Sequence, residues 1–172
     1  MIHDSHPFAT PDEERDPVRR FRGRLSAPVT VVTAGNGERR TGLTVSSLMV
    51  ADGEPGRVFF LCGHNTDLSD RVVEAGGFVV HVLGWVDRHL ADRFSGRVPS
   101  PGGLFLGIEA SDGPRGPLIA ALPTRAECRL ISTTDVGWYL LIEGEVESVA
   151  LGEPVAPLQY HRGRFPPPPG HS

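Results

Sequence analysis

The sequence predicts a mainly β domain, a β-barrel with two short helices filling its gaps. Three observations carry this expectation. Short runs rich in Val, Thr and Phe recur along the chain, separated by turns built on Gly, Pro and Asn. Apolar residues fall at helical spacing in only two segments between the tails. Helices do not follow every strand, which disfavours a doubly wound parallel sheet.

Val29–Thr33 is the first β-branched run, and Gly35-Asn36-Gly37 supplies a turn after it. Thr41–Val50 reads as a second strand, Arg57–Cys62 as a third and Phe78–Leu83 as a fourth. Arg125–Thr133 and Tyr139–Ala150 alternate as a long hairpin, and Leu158–Phe165 closes the set. One helix is expected from Thr66 to Gly76, with Leu68, Val72, Val73 and Ala75 on its stripe and Gly76-Gly77 as its stop. A second is expected over Val86–Phe94. Gly96–Gly116 is rich in Gly and Pro and reads as a long loop, a length that is often functional.

With 172 residues, the chain is expected to hold one domain over residues 25–165. A loose N-terminal arm over 1–24, with a short helix near Asp16–Arg22, precedes it. A Pro-rich tail over 166–172 follows. The formal net charge is −4, so no overall basic field attracts nucleic acid. Every one of the 17 basic residues is Arg, which excludes a lysine Schiff base and a P-loop lysine. Cys62 and Cys128 lie in apolar strands and read as small packing residues. No run approaches the ~20 apolar residues of a membrane span, and the N-terminus has no signal-peptide core, so a cytoplasmic location is expected. The histidines show no metal-ligand spacing, and no Gly-x-Ser-x-Gly elbow exists.

Two stretches carry candidate chemistry. In Gly42-Leu43-Thr44-Val45-Ser46-Ser47, Thr44 and Ser46 share one strand face and offer two hydroxyls to a polar ligand edge. The same run also reads as an exposed, hydroxyl-rich face. In Cys62-Gly63-His64-Asn65-Thr66-Asp67-Leu68-Ser69 a strand ends and a helix begins, which makes a natural phosphate site. The alternative is a plain N-cap at Asn65 or Thr66, with Asp67 complementing the dipole. A carboxylate at Asp67 repels a phosphate unless it turns away.

In order and spacing these runs resemble the flavin reductase-like family. The resemblance extends through Gly77–Leu83, where the family has Asn in place of His81, and through Leu90–Gly96, Arg125–Leu130, Gly144-Glu145-Val146 and Leu158–Phe165. It implies a split β-barrel of the Greek-key, FMN-binding type, with two or more short helices. It implies FMN, with FAD as an alternative, lying against Thr44, Val45, Ser46 and Ser47. It places the phosphate at the turn after Cys62, beside Asn65, Asp67, Leu68 and Ser69. The implied activity is NAD(P)H-dependent reduction of flavin by a homodimer, with reduced flavin passed to a two-component monooxygenase. The chain departs from the family where Gly-Asp-His is expected before Gly144-Glu145-Val146. It has Gly137-Trp138-Tyr139 there, so Trp138 and Tyr139 become the nicotinamide-side candidates, either stacking on the ring or blocking its pocket. Blocking would leave a flavin carrier or sensor.

Overall fold

The computed structural model describes residues 16–96 and 98–170. The remainder of the expected arm and tail, and position 97 of the long loop, lie outside the described residues. A helix of about two turns, α1 (Pro17–Gly23), is the first described element. Asp16 caps it, its carboxylate accepting from the Arg19 amide, and a proline occupies its first turn.

Strands β1 (Ala27–Pro28) and β2 (Thr30–Ala34) follow, then β3 (Thr41–Val45), β4 (Met49–Ala51) and β5 (Arg57–Gly63). Helix α2 (Asp67–Ala75) leads into β6 (Gly77–Val82), and α3 (Arg88–Phe94) comes next. The chain ends with β7 (Ala110–Asp112), β8 (Pro117–Ile119), β9 (Arg125–Val136), β10 (Tyr139–Ala150) and β11 (Gln159–Tyr160). Seven strands form one antiparallel sheet in the order β3-β2-β6-β9-β10-β5-β4. β3 and β4 stand at opposite edges although only Ser46, Ser47 and Leu48 separate them. One stretch of chain therefore crosses from one edge to the other and wraps the sheet into a barrel.

The expected strand over Thr41–Val50 is thus two strands. At the break, the Ser47 hydroxyl accepts from the Leu61 amide at 3.0 Å and lies 3.3 Å from the Leu61 carbonyl. It stands in for the ladder bonds that the bend removes. The last expected strand, Leu158–Phe165, shrinks to β11. It pairs with β1 in a separate two-stranded sheet and does not enter the barrel.

Two cores flank the β2–β6 wall. Val32, Ala34, Val45, Phe60, Phe78 and Ile142 fill the barrel, and Leu68 and Val72 of α2 plug one end. Outside the wall, Val31, Leu83, Leu90, Phe94, Ile119 and Leu158 form a second core. β2 is buried on both faces, which explains its unbroken β-branched run. Val73 and Ala75, expected on the α2 stripe, are exposed, as is Val86, the first residue of the second expected helix. The α2 stripe is narrower than expected, and Val86 lies in a short 3-10 turn ahead of α3.

The loop expected over Gly96–Gly116 is tethered to the domain. The Arg93 guanidinium donates to the carbonyls of Gly103, Leu104 and Leu106. The β7–β8 hairpin then returns the chain to the sheet, where the Thr33 hydroxyl donates to the Pro117 carbonyl at 2.7 Å. His81, fully buried, accepts from the Ile119 amide at Nε2 (3.2 Å) and donates from Nδ1 to the Val31 carbonyl (3.2 Å). Burial, more than the nearby Arg125 charge, holds its pKa down at about 4.

Candidate functional site

β5 ends at Gly63, and Thr66 caps α2. Its hydroxyl accepts from the Ser69 amide at 3.1 Å, while Gly76 ends the helix in the left-handed conformation. The amides of Asp67 and Leu68, in the first turn, have no intrahelical acceptor. Together with Thr41–Leu43 of β3, the Phe94–Gly96 end of α3 and Leu104, the residues Thr66–Leu68 line a cavity of about 190 Å³. Gly42 is required in its wall, since a Cβ there would stand 2.8 Å from the Phe94 ring.

The two candidate stretches therefore meet, but with a different division of labour among their side chains. Asp67 and Leu68 line the cavity. Ser46 and Asn65 are exposed and stand outside the cavity lining. Thr44 turns to α3 and donates to the Ala91 carbonyl at 2.6 Å. Val45 is buried in the barrel core, and Ser47 is committed to Leu61. The Cys62 thiol is buried 3.0 Å from the Thr66 hydroxyl, and burial pushes its pKa up. Ser69 is buried too, and its hydroxyl is directed to the carbonyls of His64 and Thr66. Cys128 is likewise sealed, its pKa pushed up to about 12 chiefly by burial, so neither thiol is an activated nucleophile.

Thr41, Phe94, Ser95 and Leu104 are cavity residues that the sequence did not single out, and Gly42 entered only as part of the first stretch. Their signal was the Gly-x-Thr spacing and the stop of the second helix, neither of which shows that α2 and α3 converge. Trp138 and Tyr139 lie at the tip of the β9–β10 hairpin. Tyr139 is paired with Gly63 across the sheet, which sets the tip against the turn into α2. Trp138 is 79% exposed and is not among the residues that line the cavity. Among the described residues there is no cluster of three or more His, Cys, Asp or Glu suited to a metal, and no helix long and apolar enough to cross a membrane.

A second cavity, of about 400 Å³, opens at the strand ends remote from α2. Leu48, Val58, Val80, Ala126 and Val146 line it, with Asp52 and Arg125 at its rim. Around it Met49, Val50, Val82, Val149 and Leu151 are exposed.

A barrel plugged by one helix, with a cavity where a strand edge meets a helix N-terminus, defines a split-barrel ligand-binding domain. The chain belongs to the flavin reductase like domain family, whose match spans residues 22–168. It is 30% identical over 154 residues to an NADH-dependent FMN reductase of Streptomyces nodosus subsp. asukaensis, covering 88% of this chain and 83% of that one. It is 31% identical over 147 residues to the reductase component of an FADH(2)-dependent resorcinol hydroxylase of a Rhizobium strain, covering 83% and 80%. Among solved structures, an NADH:FAD oxidoreductase of Streptomyces globisporus superposes with a TM-score of 0.79 at 26% identity, over 91% of this chain and 98% of that one. The expected split-barrel fold and family are therefore both found.

Proposed function

We propose that this chain is an NAD(P)H-dependent flavin reductase that takes FMN, or FAD in the same place, and supplies reduced flavin to a separate monooxygenase. The observation that carries the reading is the convergence of the α2 N-terminus with Thr41–Leu43 of β3 at one cavity. The free amides of Asp67 and Leu68, with the helix dipole, suit a phosphate. Ser46 and the backbone beside Thr44 and Val45 suit the ribityl chain and ring edge. Asn65 adds an exposed amide at the turn. Val45, Ser47, Cys62 and Ser69 support this surface from beneath, since their side chains are committed inside.

When bound, flavin supplies the hydride chemistry itself, accepting a hydride from a reduced nicotinamide. The chain contributes position. Phe94 and Leu104 wall the cavity against water, and no side chain is required as an acid or base. The relatives named above support the choice of nicotinamide donor and of flavin.

A cavity of about 190 Å³ is small beside the roughly 300–1,000 Å³ of ordinary ligand sites. The ring therefore lies at the protomer surface, and a second copy of the chain encloses it. The apolar rim around Val50 and Leu151, at the strand ends away from α2, suits a further part of the contact with that copy. So do the opposite charges of Asp52 and Arg125, which an isologous two-fold contact would pair across the interface.

The test is oxidation of NADH and NADPH by the purified protein with FMN or FAD added, alongside its absorption spectrum. Flavin-dependent turnover is expected. Bound flavin without turnover would leave the carrier or sensor reading instead.

A further inference from the structure

Resting on the reductase reading, we infer that the cavity at the start of α2 is built for a single phosphate, with the Thr41 hydroxyl as one of its ligands and Leu104 as its stop, so that the chain selects FMN over FAD. Thr41 opens β3 and lines this cavity together with Thr66, Asp67 and Leu68. It is only 7% exposed, and among the described residues its hydroxyl has no hydrogen-bond partner. The other threonines of β2 and β3 are not left this way. The hydroxyls of Thr30, Thr33 and Thr44 donate to the carbonyls of Val45, Pro117 and Ala91 at 2.8, 2.7 and 2.6 Å. A sequestered hydroxyl without a partner forfeits the bond that water would give it, and a ligand oxygen restores that bond. With the free amides of Asp67 and Leu68, Thr41 supplies three donors, enough for the terminal oxygens of one phosphate.

FAD carries the same first phosphate but continues into a second phosphate and an adenosine. The cavity offers that continuation nothing. Asp67 lines it, and a carboxylate there repels a further phosphate. The Thr66 hydroxyl is spent as the cap, accepting from the Ser69 amide and donating to the Gly63 carbonyl at 3.2 Å. Among the described residues, no basic side chain lines the cavity. The two nearest arginines brace its wall instead. Arg93 donates from Nε to the Leu104 carbonyl at 2.7 Å. Arg40 lies over the Phe105 ring, with its guanidinium carbon 5.2 Å from the centroid, and Phe105 meets Phe94 edge to face at 5.4 Å. Leu104 and Phe94 thus form an apolar wall held from both sides. The cavity of about 190 Å³ suits a phosphate and the end of a ribityl chain, not a diphosphate with its nucleoside.

The experiment titrates the full-length protein with riboflavin, FMN and FAD, read by flavin fluorescence. The unaltered protein is expected to bind FMN several-fold more tightly than either of the others. Thr41→Val removes the hydroxyl and keeps the shape. It should weaken FMN by roughly tenfold or more, as for a hydrogen bond to a charged group, and leave riboflavin, which has no phosphate, unmoved. Thr41→Ser should keep most of the FMN affinity. Leu104→Ala should narrow the gap between FMN and FAD, and Arg40→Gln, which loosens the wall without touching its lining, should narrow it in the same direction. FAD binding the unaltered protein as tightly as FMN overturns the selection. So does an unmoved gap in both wall variants. FMN affinity unmoved in Thr41→Val, or riboflavin weakened by the same factor as FMN, overturns the role of Thr41. Binding of none of the three flavins, with no flavin-dependent NADH oxidation, overturns the reductase reading and the one-phosphate site with it.

Discussion

The hydroxyl of Ser47 lies between the amide and the carbonyl of Leu61, at 3.0 and 3.3 Å. This contact closes the barrel where the chain bends from β3 to β4. Its neighbour Ser46 is exposed and makes no comparable contact. Ser47→Ala is therefore expected to lower unfolding free energy by about 1–2 kcal/mol, the cost of a poorly satisfied backbone group. Ser46→Ala should leave stability unchanged and weaken FMN binding by about 0.5–1.5 kcal/mol. Urea denaturation and flavin titration of both variants check the assignment, and an exchange of the two phenotypes would reverse it.

Buried His81 predicts a pH-dependent stability. Its folded pKa of about 4 lies below the ordinary 6.5. As pH falls below about 6.5, the unfolded chain binds a proton that the folded chain refuses. Stability is then fully present above that pH and declines toward pH 4, by roughly 3 kcal/mol from this group. His81→Gln should flatten that part of the profile. Denaturant midpoints at about pH 7 and pH 4.5 measure the effect.

Arg93 holds three carbonyls of the long loop, one of them on Leu104 at the cavity wall. Arg93→Ala is expected to cost about 2 kcal/mol, in line with hydrogen bonds to a charged donor. It should also speed proteolysis across residues 98–107 and weaken flavin binding. Unchanged cleavage in limited proteolysis would show that the tether does not order the loop.

Gly144, in the Gly144-Glu145-Val146 motif, has no room for a side chain. A Cβ there would stand 2.4 Å from the Phe78 ring and 3.1 Å from Cys128. Gly144→Ala should destabilise the protein by about 1–3 kcal/mol through overpacking, with flavin affinity retained below the melting transition. Thermal unfolding with and without FMN separates the two effects.

Val50→Glu and Leu151→Glu place charge on the apolar rim of the open barrel end. Each is expected to convert the proposed dimer into an 18.5 kDa monomer in sedimentation, with loss of flavin-dependent turnover. A dimer that survives both changes uses another face.

The candidate site was partly legible in the sequence. The strand-to-helix run after Cys62 announced a helix start, and the residues there do line the cavity. Which hydroxyls point into it was not legible. Thr44, Ser47 and Ser69 look interchangeable with Ser46 in the sequence, but Ala91 and Leu61, on other elements, claim the first two, and the nearby His64 carbonyl claims Ser69. A hydroxyl bonds whatever lies within reach, and reach is set by packing.

By itself the sequence determined most strands of the large sheet, the two helices, a helix start at Asn65 or Thr66 and the stop at Gly76, because turn chemistry and side-chain period are local properties. It also determined that Cys62 and Cys128 are buried, since both stand in apolar strand runs. Only the tertiary structure decided that Thr41–Ala51 breaks at Ser46–Leu48 and joins both edges of the sheet. It alone set Arg22 of the N-terminal helix against Tyr139, 117 positions away. Barrel closure and such long-range meetings depend on how whole strands register and twist, and no local pattern of residues encodes that geometry.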